Sequence, residues 1–221
     1  SGTGLSSADR TANGTALQSV INYAIANNKY VEADAGTYEF DLPGGLVIDG
    51  VGFTWRGSRN TVLTQFASNT PVITLGKATS NSDGSLAMSI DGLNAQYGVD
   101  QTGNTSANAI VMASSWMSRY SRIFSGVAAG ASFAPYRSIY FNGGGSDAWW
   151  FSNSLRDSKF AHAQHEIWRH NLLSTGCSYE NIYIGGGNPT ITAYSGTPVI
   201  FSRGGGRGQG SVFNQFNIEW I

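Results

Sequence analysis

The chain has 221 residues, of which 41% are hydrophobic, enough for one large core. Net charge is −1 and only 12% of residues are charged, so the chain carries no electrostatic footprint for nucleic acid or an anionic membrane. No apolar run approaches the ~20 residues of a membrane span, which argues against insertion. Gly, Asn, Ser and Thr supply the polarity instead, a surface that suits a long-lived particle outside the cell.

In chain order, the first element is helical. In "GTALQSVINYAIANN", Leu17, Val20, Ile21, Ala24 and Ile25 recur at helical spacing, which predicts one buried face. Thr15 is the expected N-cap, and Asn27-Asn28 the stop. From Lys29 onward, short β-rich runs are broken by Gly, Asn and Ser, with no second convincing helix. "KFAHAQHEIWRHN", Lys159 to Asn171, reads as loop plus strand.

Two phrases recur. "PYRSIYF", "SYENIYI" and "VFNQFNI" align Tyr136, Tyr179 and Phe213, which lie 43 and then 34 residues apart. Ile139, Ile182 and Phe216 follow, then Phe141, Ile184 and Ile218. The first position has the opposite parity to the other two, so all face one core only if the backbone bends between them, at Ser138, Asn181 and Gln215. The second phrase is "TPVI", at Thr70 to Ile73 and Thr197 to Ile200, echoed by "NAIV" at Asn108 to Val111. Such spacing is too irregular for helical repeat arrays and suits a coil of parallel strands with loops of variable length. Tyr136, Tyr179 and Phe213 are then expected to stack one above another. The expected fold class is all-β, a right-handed parallel β-helix (solenoid) with an N-terminal capping α-helix that covers the open end of the coil. Residues 1–45 form the cap and first strand, and 46–221 the turns of the coil, with the natural protein expected to continue beyond Ile221. An antiparallel sandwich is the alternative; it explains the alternation but neither the repeated phrases nor the leading helix.

The opening segment, "ADRTANGTALQSVINYAIANNKYVEADAGTYEF", resembles the first segment of pectin-lyase-like right-handed parallel β-helices, and most closely those of bacteriophage tailspikes and tail polysaccharide depolymerases. The match rests on Asp9, Thr11, Ala16-Leu17-Gln18, Ala24-Ile25 and Ala35-Gly36-Thr37-Tyr38. Asn13-Gly14 and Asp34 depart from the pattern, where Asp-Asn and Pro are usual. The likeness covers about the first 65 residues. It implies a homotrimer on the virion tail, outside the cell, that binds and depolymerises bacterial surface polysaccharide as a hydrolase or lyase. A non-catalytic adhesin or structural tail protein is the alternative, as is a secreted enzyme unrelated to phage. Fold alone does not choose among these.

Glycan cleavage needs proton donors and acceptors, commonly two carboxylates. The richest stretch is Gly143 to Asn171, where Asp147, Asp157 and Glu166 are the candidate catalytic acids. Trp149, Trp150, Trp168 and Arg169 are the candidate substrate contacts, since indole faces stack on sugar rings. The bland reading puts one of the Trp149-Trp150 pair in the core. "HAQHEIWRH" lacks the His-Glu-x-x-His spacing, because His165 reaches its next histidine at 170, so no metal site and no cofactor are expected. The runs Gly143–Gly145, Gly185–Gly187 and Gly204–Gly206 lack a following Lys-Ser/Thr and read as bends rather than phosphate cradles. The basic run Arg203 to Gly210, with Glu180 and Glu219, reads as solvated surface. Cys177, the sole cysteine, reads as a small buried hydrophobe.

Overall fold

The computed structural model of the chain describes residues 5–77, 85–126, 133–142, 149–185, 199–201 and 210–219. Among them one helix leads nineteen strands that form three parallel sheets.

The helix spans Ser7–Ala26 and starts earlier than expected. Ser6, not Thr15, is its N-cap. The Ser6 hydroxyl accepts the Asp9 backbone N–H at 3.2 Å, while the Asp9 carboxylate accepts the Ser6 N–H at 3.2 Å. This reciprocal pair satisfies two otherwise orphaned donors, so the helix begins where the capping box lies. Thr15 sits mid-helix, with its hydroxyl turned back to the Thr11 carbonyl. Gly14 interrupts the run because the helix lies so close to the strands that a Cβ there would stand 3.0 Å from Leu42 Cβ. The helix ends as predicted at Asn27, with Asn28 left-handed at φ 52°.

Ile21 and Ala24 are buried, and Leu17 and Ile25 pack against the core, whereas Val20 is exposed. The helix also closes a strand edge. The Gln18 side-chain amide donates to the Val47 carbonyl at 2.9 Å and accepts the Val47 N–H at 2.8 Å. It stands in for the neighbour that the strand Leu46–Ile48 lacks on that side, the usual remedy for an open edge.

From Ile73–Leu75 to Val199–Phe201 the described strands visit three sheets in a fixed rotation. The longest sheet runs Tyr30–Glu32, Thr54–Arg56, Ser89–Tyr97, Arg119–Ser125, Ser154–Phe160, Ser178–Gly185 and Val212–Glu219, with Gly36–Phe40 and Thr61–Gln65 alongside. A six-stranded sheet runs Leu46–Ile48, Ile73–Leu75, Asn108–Met112, Arg137–Phe141, Glu166–His170 and Val199–Phe201. A short four-stranded sheet runs Ser85–Leu86, Ser115–Trp116, Trp149–Phe151 and Leu173–Thr175. Every ladder among the described strands is parallel, which removes the antiparallel sandwich. "KFAHAQHEIWRHN" is strand to Phe160, loop, then strand from Glu166, as read from the sequence.

Register turns repetition into columns. On the inner face of the longest sheet, Trp55, Ile90, Tyr120, Leu155, Tyr179 and Phe213 are successive partners. The Tyr179 and Phe213 rings stack at 4.7 Å, as expected. Tyr136 does not join them. Its phrase forms the strand Arg137–Phe141 of the six-stranded sheet, between Asn108–Met112 and Glu166–His170. Any strand with an inward apolar face meets the same packing demand, so an aromatic-Ile-aromatic pattern does not tell one sheet from another.

The backbone does tell them apart. Gly92, Arg122, Asp157, Asn181 and Gln215 all have φ between 51° and 76°. They form the expected bend, which returns both flanking positions to the core; Asn181 and Gln215 belong to it, and Ser138 does not. Five residues before each comes a second left-handed column: Ala87, Met117, Ser152, Gly176 and Gly210, with Gly52 one turn earlier. A residue with a Cβ costs about 1–2 kcal/mol in that conformation, so the surrounding turns impose it. The second phrase falls in one sheet, the six-stranded one, but one residue out of step: Ile73, the fourth letter of its copy, shares a column with Ile110 and Val199, the third letters of theirs.

Buried polar side chains serve the corner between the short and longest sheets. Ser118 Oγ accepts the Met88 N–H at 3.0 Å, and Asn153 Oδ1 accepts the Ser118 N–H at 2.8 Å. Cys177 is buried one turn on, its thiol 3.0 Å from the Trp150 carbonyl and pushed up in pKa by burial.

Candidate functional site

The outer face of the six-stranded sheet carries a compact polar and aromatic cluster. In the strand Arg137–Phe141, Tyr140 alternates outward between the buried Ile139 and Phe141, whereas Arg137 stands at the strand's start, ahead of Ser138 and Ile139, which are both buried. In the strand Glu166–His170, Arg169 alternates outward between the buried Trp168 and His170, whereas Glu166 is buried at the strand's start. Parallel register then sets Arg137 beside Glu166 and Tyr140 beside Arg169.

Glu166 is the hub. Arg137 Nε donates to its Oε2 at 2.5 Å, and Arg169 Nη1 donates to its Oε1 at 2.9 Å. His165 Nδ1 lies 3.5 Å from the same Oε1. The Glu166 side chain is 2% exposed, against 18% and 26% for the two arginines, so the carboxylate lies beneath the guanidiniums. Arg137 Nη1 also reaches Asn108 Oδ1 at 3.3 Å, and Arg169 Nε reaches Asn171 Oδ1 at 2.9 Å. The Arg137 guanidinium lies over two rings, Tyr136 at 4.6 Å and Tyr140 at 4.8 Å. Tyr136 stacks on the His165 ring at 4.7 Å, and Asn171 Nδ2 donates to the Tyr140 hydroxyl at 3.2 Å. The outcome is a half-buried surface of two phenols, an imidazole, two guanidiniums and two amides, fixed in place by one carboxylate.

The sequence-derived residues divide among several places. Glu166 and Arg169 meet here. Both Glu166 oxygens are engaged by guanidinium donors, so its role in this geometry is to orient the arginines rather than to pass a proton to a glycosidic oxygen. Asp157 lies on the longest sheet, exposed at a left-handed bend, where it accepts a hydrogen bond from Asn181 Nδ2 at 2.8 Å. No described contact joins it to Glu166. Trp150 and Trp168 are 0% exposed, which corrects their reading as sugar platforms. Trp150 stacks with Tyr120 at 5.0 Å, and Trp168 lies against Phe141 at 4.7 Å, because each sits at an inward position of its strand. Trp149 belongs to the strand Trp149–Phe151, and Asp147 lies outside the described residues. Tyr136, Arg137, Tyr140, Asn108, Asn171 and His165 enter the site without having been singled out as ligand contacts. Parity in "RSIYF" flags Tyr140, which alternates with Ile139 and Phe141, but not Arg137, which shares their parity and is set apart only by the two successive buried residues Ser138 and Ile139.

Other ionisable groups serve locally. Asp91 is held below the usual carboxylate range chiefly by its hydrogen bond with Arg122, whose Nε lies 2.7 Å away. Tyr183 donates to Glu219 at 2.6 Å, and that bond raises its pKa. His170 is buried with its Nε2 3.1 Å from the Tyr179 hydroxyl, and burial lowers its pKa to about 3. Among the described residues, no three His, Cys, Asp or Glu side chains gather as metal ligands.

Comparison with known protein families, curated proteins and solved structures finds no match.

Proposed function

We propose that this chain is a right-handed parallel β-helix of the phage tailspike kind, capped by its helix, that binds bacterial surface polysaccharide through the outer face of its six-stranded sheet. Three parallel sheets visited in rotation support the coil, since parallel crossovers are right-handed in nearly all proteins. The Gln18 clasp on Val47 supports the cap. The resemblance of the opening segment supports placement on a virion tail, outside the cell, as a homotrimer.

The observation that carries the ligand class is the cluster around Glu166. Sugar rings offer C–H faces to aromatic side chains and hydroxyls to planar donors and acceptors. Tyr140 and His165 supply the first, with Tyr136 packed between His165 and Arg137 as their support, and Arg137, Arg169, Asn108 and Asn171 supply the second. The cluster spans neighbouring strands on an open face, with strands about 4.8 Å apart, which suits an extended chain more than a small enclosed ligand.

The test is retardation of the protein in gels cast with capsular or O-chain polysaccharide from a panel of bacteria. Retardation by at least one polysaccharide, weakened several-fold by Tyr140→Ala, is expected. Absence of retardation across the panel removes the reading. Reducing-end release from a retained polysaccharide separates the depolymerase from the adhesin: product that disappears with Asp157→Asn assigns cleavage to the exposed acid on the neighbouring sheet, and binding without product assigns the adhesin.

A further inference from the structure

Resting on that reading, we propose that the cluster selects acidic glycans, and specifically a sugar carboxylate, over neutral ones. Two guanidiniums face one carboxylate, and Glu166 is the only acid in contact with either arginine among the described residues. Two guanidiniums against one carboxylate leave an excess of one positive charge.

The donor inventory gives the same answer. A guanidinium has five N–H donors in a flat fork. Arg137 directs Nε to Glu166 and one Nη1 hydrogen to Asn108. Arg169 directs Nε to Asn171 and one Nη1 hydrogen to Glu166. One Nη1 hydrogen and the Nη2 amino group of each arginine meet no acceptor among the described residues and remain for a ligand. Glu166, nearly sealed from solvent, fixes the two forks from below, so their geometry is set before a ligand arrives. A carboxylate matches such a fork with two parallel bonds, which a hydroxyl does not. Partial burial strengthens the attraction relative to an open surface. The Tyr136 and Tyr140 rings, 4.6 and 4.8 Å from the Arg137 guanidinium carbon, hold that guanidinium over their faces.

The experiment compares the intact protein against three soluble probes of matched length: oligogalacturonate, dextran sulfate and neutral dextran, by calorimetric titration at low and moderate salt. Oligogalacturonate is expected to bind about tenfold tighter than neutral dextran, with the preference retained in part at moderate salt. Arg169→Gln is expected to weaken binding of both probes and to erase that preference, oligogalacturonate losing about tenfold more than neutral dextran, with a melting curve confirming the fold. Equal affinity for acidic and neutral probes overturns the inference and leaves glycan binding standing. Equal affinity for the sulfate and carboxylate probes also overturns it, replacing it with selection by charge alone. If neither these probes nor the polysaccharide panel bind, the glycan reading itself fails.

Discussion

The inner face of the longest sheet and the outer face of the six-stranded sheet are built from the same kind of strand, yet they are organised oppositely. Inside, each turn sets a large aliphatic or aromatic side chain over the last: Trp55, Ile90, Tyr120, Leu155, Tyr179 and Phe213 form one column. Outside, neighbours differ and complement each other: Arg137 meets Glu166, and Tyr140 meets Arg169. Repetition serves packing, because stacked turns present one shape to the core. Departure from repetition marks the place where the surface does something other than pack.

If that division is right, inner substitutions reduce stability and outer ones reduce binding. The largest loss is expected for Trp150→Ala. Its ring is fully buried against Tyr120 and edge-on to Phe141, and removing it costs about 3–5 kcal/mol by urea unfolding. Gly92→Ala comes next. At φ 76° its new Cβ would stand 2.4 Å from the Gly57 backbone, and the combined strain and overlap cost about 2–4 kcal/mol.

Acid makes a graded version of the same test. His170 keeps a pKa of about 3 in the core, against 6.5 when exposed. Above pH 6.5 the group is neutral in both states and stability is unaffected. As pH falls below 6.5 the unfolded chain takes up a proton that the folded one refuses, so stability declines until about pH 3. The expected loss is about 2 kcal/mol at pH 5, read from urea midpoints, and His170→Gln should flatten that slope. Tyr140→Ala should cost under about 1 kcal/mol in stability, since the ring is half-exposed, while weakening glycan binding several-fold. Met117→Gly is the smallest effect: relief at φ 51° is offset by added chain entropy, giving a gain below about 1 kcal/mol in a thermal melt.

The same division explains what could be read from the chain itself. "TPVI" and "NAIV" pointed to one sheet, and Asn181 and Gln215 to one bend, because packing and backbone constraints recur turn after turn. Tyr136 misled because its inward neighbours obey the same apolar rule on a different sheet. Trp150 and Trp168 misled because an indole in a list of residues carries no direction; only strand parity decides between core and surface. Thr15 looked like a cap until Ser6 and Asp9 closed the helix nine residues earlier. Glu166 and Arg169 were visible as residue types, but their partner Arg137 lies 29 residues from Glu166, and nothing local in the chain joins them.

Cross-linking across turns tests the stacking most directly. Ser121, Arg156 and Glu180 occupy one outward column, at successive turns. Cysteines at 121 and 156 should form a disulfide under mild oxidation, because adjacent parallel strands hold such positions within about 4.4–6.8 Å at Cα. Cysteines at 121 and 180, two turns apart, should not. Equal cross-linking of both pairs, or a bond between 121 and 180 alone, would contradict the register on which the columns and the outer cluster depend.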